Sequence, residues 1–331
     1  MTDLSRTPAR LGALFLVASC VTTGQHPDVS PPIDLRVGSA YEEASRLELP
    51  QMAPGERTGL HNVFRLSDNI VSGSEPYGEA AFGQLREMGV KTVLSVDGKV
   101  PEAALAERYG LDYVHVPIQY RGITEDEMTR IAKTFREKPG PFYVHCFHGK
   151  HRGPAAAAVG RVVLDGVARD EAIAEMRQWC GTSPSYEGLY RVIATGAIAS
   201  PEETARYRWD FPPAHPYGGY RQTMIEIVRA RDNLKGLSRR GWRPDVEHPD
   251  LDALNEAEKL ADTFDRANRL DEVARRPGDF RAWMDESAVL SRQLRDAIVA
   301  ERAGGPVIDV DVAYAAVEQS CAACHRVYRN D

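Results

Sequence analysis

The chain lacks a basic excess, long apolar runs and an even set of cysteines. Lys and Arg number 41 against 48 Asp and Glu, a formal net charge of -7. A general nucleic-acid binder needs a basic footprint, so that class is excluded. A local basic site for a phosphoester remains compatible with an acidic chain. No stretch reaches the ~18 apolar residues of a membrane-spanning helix. The five cysteines, Cys20, Cys146, Cys180, Cys321 and Cys324, are odd in number. In an exported chain that speaks against a disulfide framework, so each cysteine needs its own account.

What is present begins with an export signal. Arg6 and Arg10 precede a short apolar stretch, residues 11–18, which ends in small residues before Cys20. Val17-Ala18-Ser19-Cys20 resembles a bacterial lipobox. That resemblance implies cleavage before Cys20, acylation of its thiol, and a periplasmic protein anchored by lipid to a membrane, the outer membrane first. The other reading is a plain secretory signal with an incidental cysteine. The polar, Pro-rich residues that follow suit a flexible tether over 20–55. At 331 residues, 43% hydrophobic and 27% charged, the chain is long enough for two ordinary domains.

From residue 56 to 199 short β-branched and aromatic runs, 92–96, 113–117 and 142–145, alternate with helical stretches at 79–88, 102–108, 125–137, 154–164 and 170–179. The alternation predicts an α/β layer with a mostly parallel sheet. Residues 200–219 hold Pro201, Pro212, Pro213 and Pro216 and read as a linker. From 220 to 331 only helical periodicity remains, over 220–237, 251–270, 280–300 and 310–328, with Asp250 as a cap for the second segment. Short connections between amphipathic helices predict an all-α four-helix bundle.

Two short motifs carry chemistry. The first is Val144-His145-Cys146-Phe147-His148-Gly149-Lys150-His151-Arg152, placed between a strand and a helix. A loop that turns from strand to helix aims successive N–H groups inward and forms an anion cradle. Cys146 at its base would be a thiolate, Gly149 permits the tight path, and the fork of Arg152 can hold two phosphate oxygens. A rhodanese-like loop or a purely structural turn are the alternatives. Cys180 either packs in the core or serves as a resolving thiol for Cys146.

These residues resemble the His-Cys-x5-Arg loop of the tyrosine and dual-specificity phosphatases, and 149–152 resemble the atypical plant and fungal group. The resemblance spans about 130 residues, from Asn69-Ile70-Val71-Ser72-Gly73-Ser74-Glu75-Pro76 through the helix after Arg152. It implies a cysteine phosphatase fold and a phosphocysteine intermediate on Cys146. It also implies phosphate binding by Phe147, His148, Gly149, Lys150, His151 and Arg152. The substrate would be phosphorylated and of polyanionic type, such as an inositol phosphate or a phosphoprotein. The family's acid follows the strand ending at Ile118, where this chain has Gln119-Tyr120-Arg121-Gly122. Asp97 is the substitute candidate, with Glu125 and Asp126 as alternatives. The family's Ser or Thr after the arginine is replaced by Gly153, which puts rapid release of the intermediate in doubt.

The second motif is Cys321-Ala322-Ala323-Cys324-His325, the attachment pattern for one covalent haem c, with half of a zinc site as the alternative. Residues three and four apart share a helix face, so both thiols and His325 approach one group. The C-terminal position resembles the cytochrome c-prime and c-556 group. That implies His325 as iron ligand, Arg329 beside it, Met224 as the second axial ligand, and a homodimer. The expected protein is a periplasmic phosphomonoester hydrolase with an attached haem module for electron transfer or for redox or gas sensing, and an unknown redox partner. The alternative is a non-catalytic phosphate-binding haem sensor or electron carrier.

Overall fold

The computed structural model describes residues 27–36, 38–215, 218–244, 251–304 and 309–328. Cys20, the signal segment, Asp250 and Arg329 lie outside these residues. Strands β1 (Gly55–Arg57), β2 (Leu60–Arg65), β3 (Ile70–Gly73), β4 (Thr92–Ser95), β5 (Asp112–His115) and β6 (Phe142–His145) form one sheet in the order β1-β2-β3-β6-β4-β5. Strands β3, β6, β4 and β5 run parallel, and β1 and β2 add an antiparallel edge. Every residue of β3, β4 and β6 is buried, as expected for parallel strands covered on both faces.

Successive side chains sort to opposite faces. Val71, Val93, Tyr113 and Tyr143 face α2 (Gly78–Glu87) and α3 (Ala103–Arg108), whereas Ile70, Leu94, Val114 and Val144 belong to the larger core. That core is covered by α1 (Ala40–Glu43), α4 (Glu125–Glu137), α5 (Arg152–Leu164), α6 (Arg169–Gln178) and α7 (Glu187–Thr195). Helix α5 is central: residues 152–163 are all buried. Its small residues permit close approach to the sheet. A Cβ added at Gly160 would meet Ile70 Cδ1 at 2.6 Å and Phe135 Cζ at 2.7 Å.

Two boundaries differ from those expected. Residues 27–54 are not a free tether: Val29, Ile33, Leu35, Tyr41 and Met52 pack on the larger core, and the Ile33 amide donates to Ala194 O at 3.0 Å. Residues 200–215 are not a plain linker either. Ser200 and Glu203 form a capping box that starts α8 (Pro201–Arg206), where proline at the first position suits a helix start. The chain then runs along the sheet edge. The His115 amide of β5 donates to Pro212 O at 3.0 Å, and Trp209 and Phe211 pack on the core. These contacts join residues far apart in sequence, which a local reading of prolines misses.

The remaining elements are α9 (Gly219–Arg239), α10 (Ala253–Asn268), the short α11 (Asp271–Ala274), α12 (Gly278–Arg302) and α13 (Val310–Tyr328). They enclose a separate core that includes Ile227, Leu234, Leu260, Phe264, Leu294, Ile298 and Val317. Asp252 caps α10, accepting from the amides of Leu254 at 2.9 Å and Asn255 at 3.1 Å. The cap expected at Asp250 is therefore replaced by the aspartate two residues later. Among the described residues no helix is long and apolar enough to cross a membrane.

Gly160→Ala overpacks α5 against β3 and α4. The expected cost is about 1–3 kcal/mol. It is read as a lower denaturation midpoint at unchanged slope.

Candidate active site

Cys146 sits where buried β6 gives way to the loop before α5 and is 4% exposed. The loop's carbonyls are held by surrounding scaffold. Phe147 O accepts from the Glu75 amide at 3.0 Å, His148 O from Asn62 Nδ2 at 2.9 Å, and Lys150 O from Thr182 Oγ1 at 2.7 Å. These three bonds fix the path of the loop between β6 and α5. Gly149 has φ 71°, and a Cβ there would come within 2.2 Å of Gly73 C. Glycine is required by backbone conformation and by the approach of β3.

Gly153 has a similar reason. A Cβ at this position would lie 3.0 Å from the Cys146 amide nitrogen. The first turn of α5 therefore presses against the base of the loop, in place of a hydroxyl-bearing side chain.

Arg152, the first residue of α5, is 3% exposed. Its guanidinium pairs with Asp97 Oδ2, donates to Tyr120 Oη at 2.8 Å, and lies 4.2 Å from the centre of the Tyr120 ring. Asp97 follows β4 and accepts the Lys99 amide at 2.9 Å through its other oxygen. Burial opposes the charge on Asp97, but Arg152, Lys259 and the Lys99 amide outweigh it and hold the carboxyl well below the usual range. Asp97 stays ionised at neutral pH. In this arrangement the Asp97 carboxylate is the partner that holds Arg152 in place.

The alternatives for the acid lie elsewhere. Glu125 and Asp126 are exposed on the first turn of α4, and Asp126 is engaged by Arg130 at 2.7 Å and by Tyr207 Oη. Among the other expected phosphate ligands, Lys150 is exposed and Phe147 and His148 are half-buried at the loop crest. The His151 side chain is turned away from the crest: its Nδ1 accepts from the Ser183 amide at 3.2 Å and its ring centre lies 4.7 Å from that of Tyr186. Cys180 is a buried free thiol in the same core as Cys146, and burial pushes its pKa up.

Two buried histidines support the site as neutral groups. His115 Nδ1 accepts from the His215 amide at 3.0 Å, so Nε2 carries the proton donated to Asp97 O at 2.7 Å. Burial pushes His115 down to about 4. His145 shares a 2.6 Å hydrogen bond with Tyr113 Oη and is pushed down to about 3 by burial. Proline-strap residues missed by sequence reasoning are thereby tied, through His115, to the Asp97 turn.

The second motif lies on α13. Cys321 and Cys324 are half-buried free thiols packed against the same helical core as Tyr220, Met224 and Tyr328. Burial pushes Cys321 up to about 11 and raises Cys324 as well. The aromatic rings of Tyr220 and Tyr328 both adjoin that of Phe280, with centres 5.7 and 5.2 Å away. His325 is exposed on the same helix. The chemistry of this donor set, two free thiols one helical turn apart with His325 following on the same helix, is the one that attachment of a group through sulfur would use.

No family model matches the chain. A 119-residue stretch is 26% identical to the dual specificity protein phosphatase TpbA of Pseudomonas aeruginosa strain UCBPP-PA14, covering 35% of this chain and 54% of that protein. The chain thus spans about half the length of the curated relative it matches. Of the solved structures, P. aeruginosa TpbA is 22% identical with a TM-score of 0.37, covering 44% of this chain and 89% of that one. The core catalytic domain of the PP-IP phosphatase SIW14 from S. cerevisiae, in complex with citrate, is 18% identical with a TM-score of 0.34, covering 43% and 86%. Part of the chain therefore carries a domain similar to the dual-specificity cysteine phosphatases.

Asp97→Asn removes the countercharge from a buried guanidinium and is expected to cost about 3–5 kcal/mol at neutral pH. Because the folded-state pKa is depressed, the pair's contribution is fully present above about pH 4 and is lost as the pH falls below that. Denaturation of both proteins across pH 3–7 checks this: the wild-type advantage must shrink on acidification, not grow.

Proposed function

We propose that the protein is a cysteine-dependent phosphomonoester hydrolase with an attached c-type haem module. The observation that supports the first part most strongly is the loop over Cys146, whose carbonyls are held by the surrounding scaffold while Arg152 enters from the helix start. Cys146 Sγ attacks phosphorus, the P–O bond to the leaving group breaks, and a phosphocysteine forms. The loop amides and Arg152 stabilise the charge on the equatorial oxygens. Water then attacks phosphorus, breaks the P–S bond and releases phosphate and the thiolate. The similarity of part of the chain to TpbA supports the same reading.

The state of Asp97 shapes the substrate range. An ionised carboxylate cannot protonate the departing oxygen. Turnover therefore depends on leaving groups that depart as weak bases, such as aryl oxides and phosphoanhydride phosphates. For purified protein, 4-nitrophenyl phosphate is expected to react far faster than an alkyl phosphate. Cys146→Ser should lower the rate more than about a thousandfold. Equal release by the variant removes Cys146 from the reaction.

For the second part, Cys321 and Cys324 would hold the haem covalently, with His325 and Met224 as iron ligands and Arg329 at the periphery. When bound, the haem supplies a one-electron couple. The polypeptide keeps its surround apolar through Tyr220, Phe280 and Tyr328. Lipid anchoring at Cys20 in the periplasm is part of the same proposal, because c-type attachment requires export. Protein matured in a haem-attaching host is expected to keep its Soret band through acid–acetone extraction, and Cys321→Ser with Cys324→Ser to lose it. Met224→Ala should turn a low-spin spectrum high-spin; an unchanged spectrum removes Met224 from the iron.

A further inference from the structure

Gln119-Tyr120-Arg121-Gly122 stands where the resemblance led to an acid, and its tyrosine lies on Arg152 instead. The segment is a closed turn. Gln119 and Gly122 pair as an isolated bridge, with the Gly122 amide donating to Gln119 O at 3.3 Å. The turn is pressed onto the start of α7, where a Cβ added at Gly188 would lie 1.9 Å from Arg121 O. Contact that close leaves the turn no room to shift toward α7.

Tyr120 projects from this turn into a stack of side chains. Its ring lies over the Arg152 guanidinium, with Cζ 4.2 Å from the ring centre. It also stacks on Tyr186, with ring centres 4.9 Å and planes 29° apart. Tyr186, 3% exposed, ends the 3-10 turn Pro184–Tyr186 that precedes α7. The Tyr186 ring in turn meets that of His151 at 4.7 Å. The order is therefore Arg152, Tyr120, Tyr186, His151, and its ends are consecutive residues of the chain. Thr182 and Ser183 hold the same stretch, through Lys150 O at 2.7 Å and His151 Nδ1 at 3.2 Å. The stack closes on the end of the Cys146 loop.

The hold on Arg152 is directional. Nη2 donates both to Asp97 Oδ2 and to Tyr120 Oη, so one edge of the guanidinium is pinned. A contact to a single carboxylate oxygen fixes distance more than plane. The aromatic ring over the group sets the plane, and the cation is drawn to the ring face. A planar fork is useful for oxyanion recognition only when its plane is set.

We infer that Tyr120, backed by Tyr186, is a positioning residue for Arg152 and sets the plane in which its fork meets the phosphoryl oxygens. Tyr120 acts through the arginine and needs no contact with the substrate. The inference rests on the hydrolase reading for the task of Arg152, whereas the hold itself is tested by oxyanion binding as well as by turnover.

The experiment is a double-mutant cycle in the full chain, read as kcat/KM for 4-nitrophenyl phosphate. Tyr120→Leu should lower it about thirtyfold, and Tyr120→Phe, which keeps the ring and loses the hydroxyl, about tenfold. In an Arg152→Lys background, where no plane remains to be held, Tyr120→Leu should cost less than about threefold. Equal losses in the two backgrounds overturn the inference, because a tyrosine that merely packs the loop acts whatever stands at position 152. So do losses under about twofold for both Tyr120 variants in the parent chain. Where Tyr120→Leu gives an unfolded far-UV spectrum, Tyr120→Phe carries the same cycle. If release by the parent does not depend on Cys146, the hydrolase reading fails. The cycle is then read as tungstate affinity of the chain carrying Cys146→Ser, measured by calorimetry. A loss confined to the Arg152 background upholds the positioning role, and equal losses overturn it. A Cys146→Ser chain that binds no tungstate overturns it too, since no oxyanion then meets Arg152.

Discussion

The ion pair between Arg152 and Asp97 is the constraint from which the rest of the site follows. Both side chains are almost fully buried, so neither can be left without the other. The pair ties the first residue of α5 to the turn after β4, across the C-terminal end of a parallel sheet. That fixes the guanidinium against Asp97 and Tyr120. The same pair holds the Asp97 carboxylate in its charged form.

Around that pair the turn after β4 becomes a junction. The Asp97 carbonyl is held by His115, its carboxylate by Arg152 and the Lys99 amide, and Lys99 spans to Glu75 and Glu258. Burial pushes Glu75 up to about 7, against the pull of Lys99, because this ion network lies away from solvent. The cost of charges in such a place is offset only where each has a partner on a neighbouring element. The neighbours here come from both the sheet domain and the helices that follow it.

Some of this was readable from residue order and some was not. Strands such as 142–145 and the helix over 125–137 announce themselves through local composition and a Thr124–Glu127 capping box. The Cys146-to-Arg152 spacing, with Gly149 inside it, specifies a strand–loop–helix turn by itself. The β1–β2 hairpin, the packing of residues 27–54 and the edge contact of Pro212 depend on partners distant in sequence or on weak local patterns, so periodicity is silent on them. Asp97 was legible as a carboxylate near the site. Its pairing with Arg152 was not, because that depends on which cation the fold places against it. The tyrosine and arginine at 120 and 121 were legible only as a departure from the family's acid.

The segment from Pro212 to His215 has a consequence for how the molecule can be divided. It meets the C-terminal end of β5 through the His115 amide and ring, and two prolines keep it from offering a full row of donors. A fragment ending near residue 199 would therefore expose an unpaired strand edge and strip His115 of the amide that sets its tautomer. During synthesis, the sheet acquires its protective border only after residue 215 has emerged, when the first helix of the bundle is already next in line. The stretch that looks most like a spacer thus serves as the selvedge of the sheet at His115.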